Sequence, residues 1–526
     1  MQQRLGLRRR VEDHPVSDDV ASLSPLGPTS GDWKPGHCTG ILRNLGSYKR
    51  IYSSSSSTRL SQRTITRARH TDDEEIPTSH LRNSKLASIA IAIAATLLLA
   101  PPAHAQTFSV IHTFSGPDGA FPQAGLSMDA AGRLYGSTSS GGLSGLECNQ
   151  QGCGTVFRLV PQGGEWNLSS LWKFHGPNDG ADPINRPTFA PSGLLYGTTN
   201  AGGVQFCEGP GCGTAYSLRP RATTCPTTLC LWQEAVVYSF GGVNGICDGI
   251  SSGASPRRVR QRGTVELGSC PGLGDLTYDA AGNIYGTIPC CYGAVYELTP
   301  NGTATALYYF AGGADGDTPE AGVIFDHAGN LYGTTAGGGS GRGCGTVFEL
   351  SPSGSGSWTK TTLYDFQCAS DGSAPYGGVI FDSAGNLYGT TNFGGANMVG
   401  TVYELSPAGG GTWTFHLLYS LQYRGTFDFL LYGPTGSLAI DSSGSLYGTA
   451  VLDGAFGGGS VFKLTPSNGA WTYTSLHDFT GESDGNQPFG NVLVDANGTV
   501  YGTASQGGLA NGCGQFGCGT VWKITQ

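Results

Sequence analysis

The feature that most constrains this chain is a motif that returns seven times, a turn followed by Leu/Ile/Val-Tyr-Gly; the turn is Asp-x-x-Gly in six repeats and Ala-Pro-Ser-Gly, residues 190–193, in the second. Residues 325–335 carry it as Phe-Asp-His-Ala-Gly-Asn-Leu-Tyr-Gly-Thr-Thr. The seven tyrosines, separated by 61, 89, 47, 56, 59 and 54 residues, are Tyr135, Tyr196, Tyr285, Tyr332, Tyr388, Tyr447 and Tyr501. Self-similarity at such a period is typical of propellers, solenoids and arrays.

Each repeat is predicted to form four short strands, which we name a, b, c and d. In the fifth repeat these are residues 378–382, 386–391, 400–405 and 413–420. Asp-x-x-Gly joins a to b, a Gly-Gly loop joins b to c, and Ser/Thr-Pro with Gly joins c to d. Short strands with regular turn signals favour an all-β fold, and the fixed period selects a propeller.

The order of the pieces predicts how the ring closes. The repeat region opens with a d-type strand at 107–114 and ends with a c-type strand at 519–525. We expect these two strands to pair and complete the last blade, which leaves no open sheet edge. The prediction is therefore an all-β, seven-bladed β-propeller of four-stranded blades over residues 106–526.

Charge is distributed unevenly along the chain. Residues 1–105 hold 14 Lys/Arg and 9 Asp/Glu, whereas residues 106–526 hold 15 Lys/Arg and 29 Asp/Glu. An acidic repeat region argues against nucleic acid as a partner, because phosphates need a basic face.

A targeting segment precedes the repeats. Lys85 is followed by an apolar run at 86–100 and by Ala103-His-Ala105, so 81–105 reads as a signal peptide cleaved after Ala105. The run is shorter than the about 20 residues of a membrane span. Residues 1–80 are either a disordered N-region or lie upstream of a true start near Leu81. We therefore expect a secreted, periplasmic or cell-surface protein, with no membrane span after cleavage.

Cysteine usage agrees with export, since 14 of the 15 cysteines follow residue 105. Each close pair stands alone in its repeat, which favours loop-closing disulfides over zinc sites. The predicted pairs are Cys148/Cys153, Cys207/Cys212, Cys225/Cys230, Cys344/Cys368 and Cys513/Cys518. The pairing of Cys247, Cys270, Cys290 and Cys291 stays open.

Three recurring residues are given structural interpretations. We expect the tyrosine to pack blade against blade rather than to bind a ligand, since one ligand rarely needs seven identical contacts. The glycine after it is expected to admit a neighbouring backbone near the axis. The Asp-Gly…Pro of the d-to-a connections is interpreted as turn chemistry, with a ring of cation-binding carboxylates as the alternative.

Departures from the repeat supply the candidate binding residues. The enlarged second-to-third connection holds the only basic cluster of the acidic region, which is either a docking site for an anionic polymer or a solvated loop. The fifth-to-sixth connection is rich in aromatics, either a sugar-stacking or lid segment or a divergent strand. The candidates are Arg257, Arg258, Arg260, Arg262, Tyr423, Phe427, Phe429 and Tyr432.

Motifs of known chemistry are missing from the sequence. The histidines after residue 105 occupy unrelated positions, and we find no phosphate-binding loop, nucleophile elbow or zinc-binding helix. No catalytic residue, cofactor or metal is predicted.

The stretch from Gly322 to Pro352 resembles the GloVer tandem repeat, a family of secreted bacterial proteins with varied C-terminal anchors. The resemblance covers nearly all of 106–526. It implies an exported bacterial propeller and no assigned activity. The chain ends at Gln526 without the family's anchor, which favours release or periplasmic residence.

Two hypotheses follow, and a third is weaker. The first is a non-catalytic binding module for an extracellular polysaccharide or a surface protein, acting as a monomer. The second is a polysaccharide-active hydrolase or lyase with its site at the central blade-top loops. The third is a purely structural surface protein.

Overall fold

A computed structural model describes residues 106–143, 148, 151–203, 211–221, 232–241, 274–289, 292–354, 356–422, 433–508 and 512–526. The described strands form seven four-stranded antiparallel sheets, the blades of a seven-bladed β-propeller. The helical elements that lie wholly within these ranges are two short 3-10 turns, Gly313–Asp315 and Gly514–Phe516. The predicted fold class is confirmed.

Each blade runs from a short inner strand a to a long outer strand d. Blade 1 is β2 Ser127–Met128, β3 Leu134–Thr138, β4 Thr155–Gln162 and β5 Glu165–Lys173. Blade 2 is β6 Thr188–Phe189, β7 Leu195–Thr198, β8 Thr214–Pro220 and β9 Trp232–Ser239. Blade 3 is β10 Thr277–Tyr278, β11 Ile284–Ile288, β12 Ala294–Leu298 and β13 Ala304–Tyr309.

The remaining blades keep the same order. Blade 4 is β14 Ile324–Phe325, β15 Leu331–Thr335, β16 Thr346–Ser353 and β17 Ser357–Asp365. Blade 5 is β18 Ile380–Phe381, β19 Leu387–Thr391, β20 Thr401–Gly409 and β21 Thr412–Ser420. Blade 6 is β22 Ala439–Ile440, β23 Leu446–Ala450, β24 Ser460–Ser467 and β25 Ala470–Asp478.

Blade 7 combines the two ends of the described chain. Its strands are β26 Leu493–Val494, β27 Val500–Ala504, β28 Thr520–Thr525 and β1 Thr107–Thr113. Strand β1 pairs antiparallel with β28, from Thr107 opposite Thr525 to Thr113 opposite Thr520.

The hydrophobic core lies between the blades rather than inside any one of them. Seven clusters of buried side chains each join one blade to the next, including blade 7 to blade 1 through Tyr501, Phe157 and Leu134. Every repeated tyrosine belongs to one of these clusters, which confirms its predicted packing role. In six of the seven repeats its hydroxyl also donates to the carboxylate of its own Asp-x-x-Gly turn, as in Tyr388 to Asp382 at 3.2 Å; Tyr196 follows a turn that has Ala190 in place of the aspartate.

The predicted cause of the glycine after this tyrosine is wrong. The space that a side chain would need is filled by the aromatic ring of the facing residue on strand c, not by another backbone. A Cβ at Gly333 would lie 2.7 Å from Phe348 Cζ. Backbones do approach closely at other glycines, in the d-to-a connections near the axis, where Gly490 faces the Ala124 carbonyl of the next blade.

In six of the seven blades, all except blade 2, the hydroxyl residue after this glycine ties the blade to its neighbour. Its side chain donates to a backbone carbonyl just before strand a of the next blade. These bonds are Ser137 to Asn185, Thr287 to Ala321, Thr334 to Gly377, Thr390 to Gly436, Thr449 to Gly490 and Thr503 to Ala124. The last of them, at 2.7 Å, joins blade 7 to blade 1.

Candidate binding site at the mouth of the central channel

The d-to-a connections and the b-to-c loops share one face of the propeller, which we call the connection face. In an antiparallel meander successive turns alternate between the two ends of the strands. The two kinds of segment are also joined by isolated β-bridges, for example Ala120 to Ser140 and Ser373 to Phe393.

The aspartates of the d-to-a connections close their own turns, as the turn interpretation predicts. Asp371 accepts from Gln367 N at 2.8 Å, and Asp484 from Thr480 N at 2.9 Å. Each carboxylate also contacts an aromatic or histidine side chain of strand d. These side chains are His112 with Asp118, Trp172 with Asp179, Tyr308 with Asp315, Tyr364 with Asp371 and His477 with Asp484.

The residue before the connecting proline adopts a left-handed backbone in five connections. It is Phe121, Asp182, Thr318, Ala374 or Gln487, with φ between 51° and 58°. None of these is glycine, and such a conformation costs roughly 1–3 kcal/mol unless its surroundings enforce it. The shared backbone conformation gives the residue after the proline the same position in each of these five connections.

The surroundings that enforce this backbone are the b-to-c loops of the preceding blade. Cys518, Cys153 and Cys344 each accept a hydrogen bond from the left-handed residue, at 2.9, 3.0 and 2.9 Å. All three carbonyls belong to disulfide-bonded cysteines, which form the pairs Cys148–Cys153, Cys344–Cys368 and Cys513–Cys518. The disulfides therefore stabilise the b-to-c loops whose carbonyls accept hydrogen bonds from the d-to-a connections.

These connections converge on a cavity of about 90 Å³ at the propeller axis, lined by residues of all seven blades. The residue after each connecting proline lines it, and this residue differs in every described repeat. We call these six the mouth residues: Gln123, Ile184, Glu320, Tyr376, Thr435 and Phe489. The equivalent in the third repeat, residue 273, lies outside the described residues.

A polar network lies at the axis, two residues after the mouth position in five of the seven connections. Arg186 Nη2 lies 2.7 Å from Asp275 Oδ2, and Asn491 Nδ2 donates to the same oxygen at 2.6 Å. Asn491 Oδ1 accepts from Ser437 N at 2.6 Å, and Ser437 Oγ from Gly378 N at 2.9 Å. This axial network connects blades 2, 3, 5, 6 and 7.

Glu320 is the mouth residue with an unsatisfied charge. Its Oε2 is buried without a hydrogen-bond partner among the described residues. Burial raises the pKa of Glu320 to about 7. In contrast, Asp275 in the same cavity already faces the Arg186 guanidinium. The cavity thus holds one neutralised carboxylate and one that no cation of the described chain neutralises.

A larger groove, of about 460 Å³, lies at the outer edge between blades 5 and 6. Its Trp471 packs on Tyr388 with ring centroids 6.0 Å apart. The same contact recurs one blade earlier, between Trp413 and Tyr332 at 6.3 Å. The groove is therefore formed by a packing element of the repeat, and we favour the smaller axial cavity as the site.

Sequence reasoning did not find the mouth. None of the eight predicted binding residues is among the described residues; they are Arg257, Arg258, Arg260, Arg262, Tyr423, Phe427, Phe429 and Tyr432. Residues 1–105, which include the predicted signal peptide, also lie outside the described residues. Cys207, Cys225 and Cys230 do as well, although Cys212 is disulfide-bonded. Aligning the repeats on their prolines shows that the residues on both sides of the proline vary, but the alignment alone does not show which of them line the axis.

Fold and repeat together define a β-propeller built from seven copies of one unit. Residues 265–428 match the family model of the Gloeobacter/Verrucomicrobia repeat, so the GloVer repeat resemblance drawn from the sequence is confirmed. No curated protein matches the chain.

Several solved structures are similar to this chain at low identity. A Thermus thermophilus protein described as a glucose dehydrogenase is 15% identical, with TM-score 0.36, over 80% of this chain and 99% of its own. The PQQ-bound aldose sugar dehydrogenase of Streptomyces coelicolor is 11% identical, with TM-score 0.38, over 81% and 99%. A Bacteroides uniformis protein described as a 6-phosphogluconolactonase is 14% identical, with TM-score 0.43, over 73% and 91%. Likeness at this level indicates neither substrate nor chemistry.

The described residues contain no helix long and apolar enough to cross a membrane. Within the same ranges no three His, Cys, Asp or Glu side chains cluster as metal ligands would.

Proposed function

We propose that this chain is a non-catalytic binding module outside the cytoplasm, which takes an extracellular polymer at the channel mouth. One observation carries the proposal. The residues on both sides of each connecting proline differ between repeats, but only those that follow it, the six mouth residues, line the axial cavity. In repeat proteins the loops that vary between repeats map to one face, which is often the binding face.

The strained backbone supports the same location. Left-handed non-glycine residues tend to lie at binding and catalytic sites. Here five of them directly precede the prolines that are followed by the mouth residues. The disulfide-anchored loops make the mouth rigid, which lowers the entropic cost of binding.

The experiment compares two phenylalanines on the connection face. Phe489 is a mouth residue, whereas Phe516 is 42% exposed in a b-to-c loop. The wild type and the variants Phe489→Ala and Phe516→Ala are tested for binding on a panel of glycans and cell-wall polysaccharides. We expect at least a tenfold loss with Phe489→Ala only. Equal binding by all three proteins would rule out the mouth as the site.

A polysaccharide-active enzyme is the second candidate, and Glu320 is the observation that favours it. A carboxyl group with a pKa near 7 suits a general acid. Glycosidases need a second free carboxylate, and Asp275 is occupied by Arg186 and Asn491. Reducing ends released by the wild type but not by Glu320→Gln would establish this candidate over the first.

A further inference from the structure

The mouth offers a single negative charge in a partly apolar setting. Glu320 has no ion-pair or hydrogen-bond partner at Oε2 among the described residues, and the Tyr376 and Phe489 rings line the same cavity. Aromatic faces attract cations. A carboxylate that shares a cavity with two such rings matches a singly charged organic cation.

The polar mouth residues match the hydrogen bonds that such a cation needs. An ammonium group carries three N–H donors and no acceptor. Thr435 Oγ1 donates to the Phe489 carbonyl at 2.9 Å, so its lone pairs remain available as acceptors. Gln123 lines the same cavity, and its side-chain amide has an oxygen that can accept. A divalent metal instead takes six to eight oxygen ligands, more than these groups supply.

The depth of the cavity restricts what carries the ammonium group. Arg186, Asp275 and Asn491 stand two residues after the mouth position. Two residues span at most about 7 Å, so the floor of the cavity is shallow. An amine attached directly to a ring fits this depth better than one at the end of a long chain, and the ring then rests on Tyr376 and Phe489.

We infer that the mouth binds the ammonium group of an amino sugar, with Glu320 as its counter-ion. This inference rests on the proposed function, because it names the ligand of the same site. Acetylation of the amine removes its charge and two of its donors. N-acetylated sugars therefore bind far more weakly than free amino sugars.

The test uses matched ligands on the purified full chain. Calorimetry measures binding of a glucosamine hexamer, of the N-acetylglucosamine hexamer and of hexalysine. We expect the glucosamine hexamer to bind at least tenfold more tightly than the acetylated one. Binding of hexalysine alone would overturn the amino-sugar assignment, since the cation would then come from a peptide.

Matched variants separate the mouth from the general acidity of the protein. Glu320→Gln removes the proposed counter-ion, and Glu482→Gln removes an exposed carboxylate of the connection face of blade 7. We expect a tenfold or greater loss of glucosamine binding in the first and no loss in the second. Equal losses in both would reduce the effect to surface charge and overturn the inference.

Tyr376→Leu is the second variant and keeps the charge while removing a ring. A loss of glucosamine binding with an unchanged unfolding midpoint supports the site. If neutral glycans bind and depend on Phe489 but not on Glu320, the inference falls and the proposed function stands. If no polymer depends on Phe489, both fall.

Discussion

Strand b and the channel mouth are two regions that every repeat builds, and they differ in how far they vary. Strand b reads Leu/Ile/Val-Tyr-Gly in all seven repeats, and each of its side chains is committed to packing or to a bond between blades. The mouth position differs in every described repeat, and its six side chains are only partly buried. In strand b packing constrains every side chain, so the same residues recur in each repeat. At the mouth packing constrains the side chain less, so different residues are tolerated and can serve binding.

The largest expected contrast is between two phenylalanines. Phe462 is fully buried beneath the strand-b glycine Gly448, whereas Phe489 is half-buried at the mouth. Phe462→Ala should lower the free energy of unfolding by about 3–5 kcal/mol, because it leaves a cavity. Phe489→Ala should cost about 1 kcal/mol or less. Urea unfolding monitored by fluorescence checks both values, and equal losses would break the comparison.

Glycine substitutions give the next effect. Gly389 faces the Tyr403 ring, so Gly389→Ala forces a shift of one of the two strands. Overpacking of this kind costs about 1–3 kcal/mol. A Cβ at Gly354 would have no atom within 4 Å, so Gly354→Ala serves as the control, with an expected change below about 0.5 kcal/mol. Thermal unfolding of both variants would contradict this account if the control were affected as much.

The bond that joins blade 7 to blade 1 is expected to matter less than a core contact. Thr503→Val leaves the Ala124 carbonyl without its donor at nearly constant volume. The expected loss is about 1–2 kcal/mol. Thr390→Val, where the equivalent bond is longer at 3.4 Å, should cost less. Hydrogen exchange near strand a of blade 1 should rise in Thr503→Val, and unchanged exchange would argue against the role of this bond.

The last comparison is between two pH dependences of opposite sign. Burial alone would raise the pKa of Asp382, but hydrogen bonds from Asn386, Ala384 and Tyr388 outweigh it and hold the pKa below its ordinary value. Its stabilisation is therefore present above about pH 4 and is lost as pH falls further. Burial raises the pKa of Glu320 to about 7. Stability from that group is lost as pH rises from about 4.5 through 7.

Variants separate the contributions of Asp382 and Glu320 to the dependence of the unfolding free energy on pH. Asp382→Asn should flatten the acid limb of the stability curve, and Glu320→Gln should flatten the neutral limb. Unfolding free energies measured from pH 3 to 8 test both expectations. A neutral limb that persists in Glu320→Gln would assign it to another group, such as Glu234, whose pKa burial also raises to about 7.

Much of the fold could be predicted because its signals are local. Turn residues and alternating strand formers mark each strand, and the predicted d strands 107–114 and 413–420 differ from the observed ones by at most one residue at each end. The tyrosine's packing role followed from its repetition alone. The glycine's neighbour did not, because the contact with strand c depends on which face each side chain takes in the paired register.

By itself the sequence determined the class of fold, the number of blades and the order of strands, since these follow from periodicity within about 60 residues of chain. Only the tertiary structure decided the site. Asn491 and Asp275 are 216 residues apart, and no local pattern pairs them. Closure of the ring brings one connection from every blade to the same axis. The mouth therefore exists only when all seven repeats are in place.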